Sequence, residues 1–151
     1  MHLKKGDMDI GNSRNEKLRT IAEEFNLHII YAFGSQAKEV YEWTEGNVQT
    51  LNIPLSPDLD IGVKPAPSKT LSIKEKVVLS MELEDLFSVG NVDLLVIPEI
   101  DPFLAANIIR GERLCCKDVY EADEYDLYIL RRAGDLIPLE RERISLIMES
   151  P

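Results

Sequence analysis

Apolar positions fall into two rhythms along this chain, and they alternate. Leu18, Ile21, Ala22 and Phe25 recur at helical spacing behind Ser13-Arg14-Asn15-Glu16, a capping-box pattern, and predict a helix over about 14–26. The run His28-Ile29-Ile30-Tyr31-Ala32-Phe33 is short, β-branched and aromatic, and reads as a buried strand stopping at Gly34. A short helix is expected from Ser35. Residues 44–57 are punctuated by Gly46, Asn52, Pro54 and Pro57, so Val48 to Ile53 reads as an edge strand or a loop. Leu59, Ile61 and Val63 then alternate with Asp58, Asp60 and Gly62, a strand ended by Pro65 and Pro67.

Ser72-Ile73-Lys74-Glu75 is a second capping box, opening a helix to about Phe87. Leu79, Leu83 and Leu86 form one apolar row of it, and Ile73, Val77 and Met81 another. Val92 to Ile97 reads as a strand closed by Pro98. Asp101-Pro102 is an N-cap with Pro at the first helical position, and Gly111 suits the helix end after Arg110. Leu114-Cys115-Cys116 is a short strand candidate. Asp118 with Glu121 caps a helix predicted to stop near Ala133 at Gly134, and Pro138 starts a last one. The expected class is α/β (α+β): a small mixed sheet with flanking helices and a helical C-terminal third. One domain is expected over 1–151, with its core at about 14–98 and a helical extension at about 101–149.

Composition narrows the function classes. The chain has 151 residues, 44% of them hydrophobic, with 17 Lys and Arg against 27 Asp and Glu and a formal net charge of −10. Affinity for nucleic-acid backbones comes largely from Lys and Arg neutralising phosphates, so direct nucleic-acid binding is not expected. No apolar stretch follows the first lysines, and no run reaches the ~18 residues of a membrane span. The two cysteines, Cys115 and Cys116, are adjacent and offer no disulfide framework. A cytoplasmic location is expected.

Three acidic residues stand where strands seldom carry them. Asp58 and Asp60 share one strand face about 6.5–7 Å apart. Asp93 interrupts an apolar strand, where an unpaired carboxylate would cost several kcal/mol, so it should have a partner, an Arg or a cation. Converging, the three would suit a hard cation such as Mg²⁺. Gly34-Ser35 at a strand-to-helix turn offers free N–H groups to a phosphate. No Gly-x-x-x-x-Gly-Lys or Gly-x-Gly-x-x-Gly is present. The acidic run Asp118 to Asp126 reads as a solvated helix start, and His28 as a structural residue.

Strand, Gly34-Ser35, helix, then Asp58-x-Asp60 on the next firm strand and Asp93 on the one after it resembles the nucleotidyltransferase superfamily typified by DNA polymerase beta. The similarity is closest to its minimal (MNT-type) members. Pro102-Phe103-Leu104 through Ile109-Arg110-Gly111-Glu112-Arg113-Leu114, with the acidic stretch and Tyr-bearing helix after it, resembles the C-terminal part of MNT-type antitoxins, which pair with HEPN-domain toxins.

The resemblance implies that Gly34 and Ser35 bind the triphosphate of ATP. It implies that Asp58, Asp60 and Asp93 ligate two Mg²⁺ (Mn²⁺ as a substitute), with Asp93 accepting the proton of the attacking hydroxyl. The implied activity is transfer of AMP from ATP to a tyrosine of a cognate HEPN toxin. A binding-only antitoxin, or transfer to a small hydroxyl compound, are the alternatives, and a homo-oligomer is left open.

Two departures accompany it. Between Ser35 and Asp58 lie 22 residues, about twice the usual spacer, and the insert over 36–57 carries Tyr41, Trp43 and Pro54. Family members commonly place Arg directly after the Ser and a second Gly soon after. Here Gln36-Ala37-Lys38-Glu39 follows, with Lys38 either a phosphate-facing charge or a solvated helix position.

Overall fold

The computed structural model describes residues 5–51 and 58–149. Its elements run α1 (Lys5–Glu24), β1 (Leu27–Phe33), α2 (Ala37–Thr44), β2 (Asp58–Pro65), α3 (Ile73–Phe87), β3 (Asn91–Val96), a 3₁₀ turn (Ile97–Glu99), α4 (Pro102–Ile109), β4 (Glu112–Cys116) and α5 (Val119–Glu149). The four strands form one mixed sheet in the order β3-β2-β1-β4. Strand β1 is antiparallel to both β2 and β4, and β2 is parallel to β3.

The unbroken apolar run of β1 follows from burial on both faces. Leu27, Ile30 and Ala32 join Leu59, Ile61, Val63 and Val92 under helices α1 to α3, with Leu18, Leu79, Leu83 and Phe87 completing that core. Ile29, Tyr31 and Phe33 face the other way, against Ala105, Ala106, Ile108 and Ile109 of α4 and Ala122, Ile129 and Ala133 of α5. Strand β2 obeys the period of two: Leu59, Ile61 and Val63 are buried in the first core, so Asp58 and Asp60 stand on the α4–α5 face. Strand β4 carries a register shift opposite Ile30–Tyr31, and Leu114 is its extra residue. That shift sets Arg113 opposite Tyr31, on the α5 side.

Several sequence expectations are corrected. Ser13-Arg14-Asn15-Glu16 does not start a helix but lies inside α1, which begins at Lys5. Arg14 instead reaches across to α2: its guanidinium donates to the carbonyls of Trp43, Val48 and Gln49, each at 2.7 Å, and lies 4.0 Å from the Trp43 ring centroid. Those bonds hold residues 45–51 as turns, so no strand forms over the described part of 48–53; residues 52–57 lie outside the described ones. Trp43 does anchor the insert, packing 5.5 Å from the Phe87 ring.

Helix α5 passes through both Gly134 and Pro138 without a break. Proline removes one N–H and crowds the carbonyl four residues back, here that of Gly134. Beyond Ala133 every described side chain but Leu136 is exposed, so water can satisfy that carbonyl and no packing forces the chain to turn. The Ser72 capping box is present in full, with Glu75 N–H donating to Ser72 Oγ and Ser72 N–H to Glu75 Oε1, both at 3.1 Å. Only the Leu79 and Leu83 row of α3 is buried. Ile73, Val77 and Met81 are exposed. Asp101 caps α4 through its carboxylate, accepting from the N–H groups of Phe103 and Leu104. The C-terminal third is helical except for β4, which completes the sheet edge. No described helix is long and apolar enough to cross a membrane.

Candidate functional site

Sheet register brings the candidate residues into a line. Phe33, the last residue of β1, lies opposite Asp60, and Asp60 lies opposite Asp93. The Gly34–Ser35 turn, Asp60 and Asp93 therefore cross three adjacent strands at one end of the sheet. Gly34 is exposed and has φ +76°, a left-handed conformation that glycine adopts without strain. A Cβ there would sit 2.4 Å from Asp60 Oδ2, so the turn and the carboxylate touch only because residue 34 has no side chain.

Ser35 does not open the following helix. Helix α2 begins at Ala37 behind Gln36, which makes no side-chain cap, and Ala37 N–H donates back to the Gly34 carbonyl at 3.3 Å. Ser35 thus sits exposed in a tight turn at the foot of α2. It lies next to Gly34, the residue that meets Asp60, and on the wall of an open cleft.

The carboxylates are unequal. Asp60 is half-buried, and its carboxyl is held above the ordinary range, first by desolvation, then by the negative charges of Asp93 and Asp58 and by contact with the Asp93 side chain. Asp93 is exposed, and the partner it meets is not an arginine but this second acid. Asp58 is exposed and accepts a hydrogen bond from Asn91 Nδ2 at 3.0 Å. Two of the three candidate carboxylates are therefore brought side by side, and the third is turned to an amide. Among the described residues, no group of three His, Cys, Asp or Glu is arranged to hold a metal ion. The oxygen-only donor set and the unrelieved repulsion at Asp60 nevertheless suit a hard cation, which would be the missing counter-charge.

The other sequence readings resolve into structural contacts. His28 Nδ1 lies 2.6 Å from Glu121 Oε1, tying β1 to α5. Asp118 caps the start of α5 through Glu121 N–H. Asp123 and Asp126 hold Arg113, and Tyr31 donates its hydroxyl to Asp126. Sequence reading missed one group: an open cleft of about 420 Å³ beside Gly34, Ser35 and Lys38 is also lined by Asn107, Arg110 and Glu112. Arg110 had a role only as the residue before a helix-ending glycine. No local pattern announces that the end of α4 meets the end of β1.

No protein-family model matches the chain, and no curated protein matches it. Solved structures do. A chain of a toxin–antitoxin complex with AMP-PNP superposes at TM-score 0.67 with 17% identity, over 89% of this chain and 98% of that one. The Shewanella oneidensis complex of a tri-AMPylated HEPN toxin with MNT antitoxin contains a chain matching at TM-score 0.63 with 16% identity, over 91% and 98%. The toxin–antitoxin MntA-HepT gives the same values. The fold is that of these toxin–antitoxin chains. It is the α/β fold that the resemblance in the sequence implies.

The touching geometry at Gly34 makes a direct test. Gly34→Ala is expected to cost about 1–2 kcal/mol, because a Cβ disfavours positive φ. The Asp60 carboxylate can swing aside, so the larger consequence is its displacement from Asp93. Thermal denaturation should show a drop of a few degrees, and amide shifts at Asp60 and Asp93 should change while those of α5 do not.

Proposed function

We propose that this chain is a nucleotidyltransferase domain acting as the antitoxin of a HEPN-type toxin. In this reading it transfers AMP from ATP to a tyrosine hydroxyl of that partner. The observation that carries the reading is the line Gly34–Ser35, Asp60, Asp93 across three strands, in a fold shared with toxin–antitoxin complexes of which one contains AMP-PNP and another a tri-AMPylated HEPN toxin with MNT antitoxin.

Asp58, Asp60 and Asp93 would hold Mg²⁺, and the bound ion would supply charge neutralisation at the reacting phosphate. The chain's own residues do the rest. The N–H groups and hydroxyl of the Gly34–Ser35 turn hold the phosphate tail. Asp93, exposed at the sheet end, accepts the proton of the incoming hydroxyl. The acceptor oxygen bonds to the α-phosphorus, the bond to the bridging oxygen breaks, and pyrophosphate leaves. Glycine at 34 keeps the tail within reach of Asp60.

One observation favours a second reading, neutralisation of the toxin by contact alone: Asp58 is engaged by Asn91, and among the described residues no three-carboxylate group is assembled. Co-expression with the helical protein that co-purifies, followed by intact mass, separates the two. The enzyme reading expects the partner to gain one or more AMP units, about 329 Da each by the arithmetic of the transfer, and to lose them when Asp60 is replaced by Asn. An unmodified, tightly bound partner overturns it in favour of contact alone.

A further inference from the structure

We propose that Arg110 and Lys38 form a cationic clamp for the phosphate tail of the nucleotide, replacing the arginine missing after Ser35. The inference deepens the nucleotidyltransferase reading and rests on it. Gln36, directly after Ser35, carries no charge. The structure brings Arg110 to the cleft beside that turn from a different element. Arg110 follows α4, and Gly111 behind it presses on the end of β1. A Cβ on Gly111 would lie 2.3 Å from the Ala32 carbonyl oxygen and 3.0 Å from Phe33 Cα. This close approach sets Arg110 on the wall of the cleft that begins at Gly34 and Ser35, with Lys38 in the first turn of α2 and Asn107 also on the wall.

Both cations are exposed, and neither forms an ion pair among the described residues. Even with Glu112 on the wall, the cleft keeps a net positive charge in a chain of formal charge −10. A guanidinium and an ammonium flanking a glycine–serine turn match a polyphosphate: Arg for paired oxygens, Lys as a point charge. The clamp selects the triphosphate tail, not the base.

Inorganic tripolyphosphate in EDTA is the probe, because it removes both the base and any metal. Wild-type protein should bind it, with amide shifts at Gly34, Ser35 and Arg110. Arg110→Gln and Lys38→Gln should each weaken that binding by about tenfold, the effect of one charge-assisted hydrogen bond. Arg110→Lys should recover part of the loss. Asp60→Asn should bind tripolyphosphate at least as well as wild type, since it removes a negative charge beside the turn. With ATP and Mg²⁺, Arg110→Gln should raise KM about tenfold and change kcat by less than about threefold, as expected for uniform binding. Unaltered thermal stability of both variants accompanies this outcome.

The clamp is overturned if Arg110→Gln binds tripolyphosphate as wild type does, if wild type does not bind it, or if the shifts gather away from the cleft. The transferase reading fails separately: Arg110-dependent tripolyphosphate binding without modification of the co-expressed partner would retain the clamp and remove the reaction.

Discussion

Asp60→Asn is expected to lower nucleotide transfer by several orders of magnitude while leaving the protein folded and no less stable. Asp60 is the middle member of the line, touching the Gly34 turn on one side and Asp93 on the other. Charge stabilisation at a phosphoryl centre is usually the dominant catalytic contribution, and an amide oxygen replaces a carboxylate poorly there. The stability side runs the other way. Without a cation, Asp60 is disfavoured by desolvation and by two like charges, so the neutral amide should leave stability unchanged or raise it by up to ~1 kcal/mol.

Asp93→Asn should behave alike. Its carboxylate is exposed and meets another acid, so it has no buried ion pair to lose. Thermal melts of both variants in EDTA beside a mass-based transfer assay in Mg²⁺ make the comparison. Stable variants with undiminished transfer would sink the assignment of these carboxylates.

What the sequence made legible follows the reach of each signal. The two-residue alternation at 58–63 put Asp58 and Asp60 on one face, and the structure has them there, because a one-residue slip would have buried both acids in the α1–α3 core. The pairing of Asp60 with Asp93 also needed the strand order, which alternation does not contain. Local capping patterns gave mixed results. Ser72 and Asp101 cap because apolar helices follow them against the sheet. Ser13, with the same local pattern, lies inside α1, and Arg14 of that segment is occupied by three carbonyls from residues 43–49. The stops at Gly134 and Pro138 failed for the opposite reason: the helix there is exposed, and no packing opposes its continuation.

Lys38 was legible as a candidate, but its pairing with Arg110 was not, because the two lie 72 positions apart. The contact of Gly111 with the end of β1 helps to join them.

The largest stability effect is expected at Arg113, remote from the chemistry in role though near it in sequence. Its guanidinium donates to Asp123 at 3.0 Å and Asp126 at 2.7 Å, and Asp126 also accepts the hydroxyl of the fully buried Tyr31. Burial alone would pull the Arg113 guanidinium down, but the hydrogen bonds it donates to Asp126 and Asp123 hold it above its ordinary range. Burial likewise pushes the Tyr31 hydroxyl up, and its bond to Asp126 adds to the effect, so tyrosine stays the donor. The cluster binds β1 and β4 to α5, and the register shift at Leu114 is what turns Arg113 toward it.

Arg113→Ala would leave Asp126 partly buried, with Tyr31 its remaining hydrogen-bond partner among the described residues, and should cost about 2–4 kcal/mol. For a chain of this size that is a fall in Tm of roughly 5–15 °C. Tyr31→Phe should cost less, about 1 kcal/mol, because Arg113 still pairs with Asp126. The double variant Arg113→Met/Asp126→Leu tests the cause: if the loss comes from the stranded carboxylate, replacing both partners by apolar side chains should recover most of it. A double variant as unstable as Arg113→Ala would mean that the guanidinium stem and its packing, not the ion pair, hold α5 to the sheet.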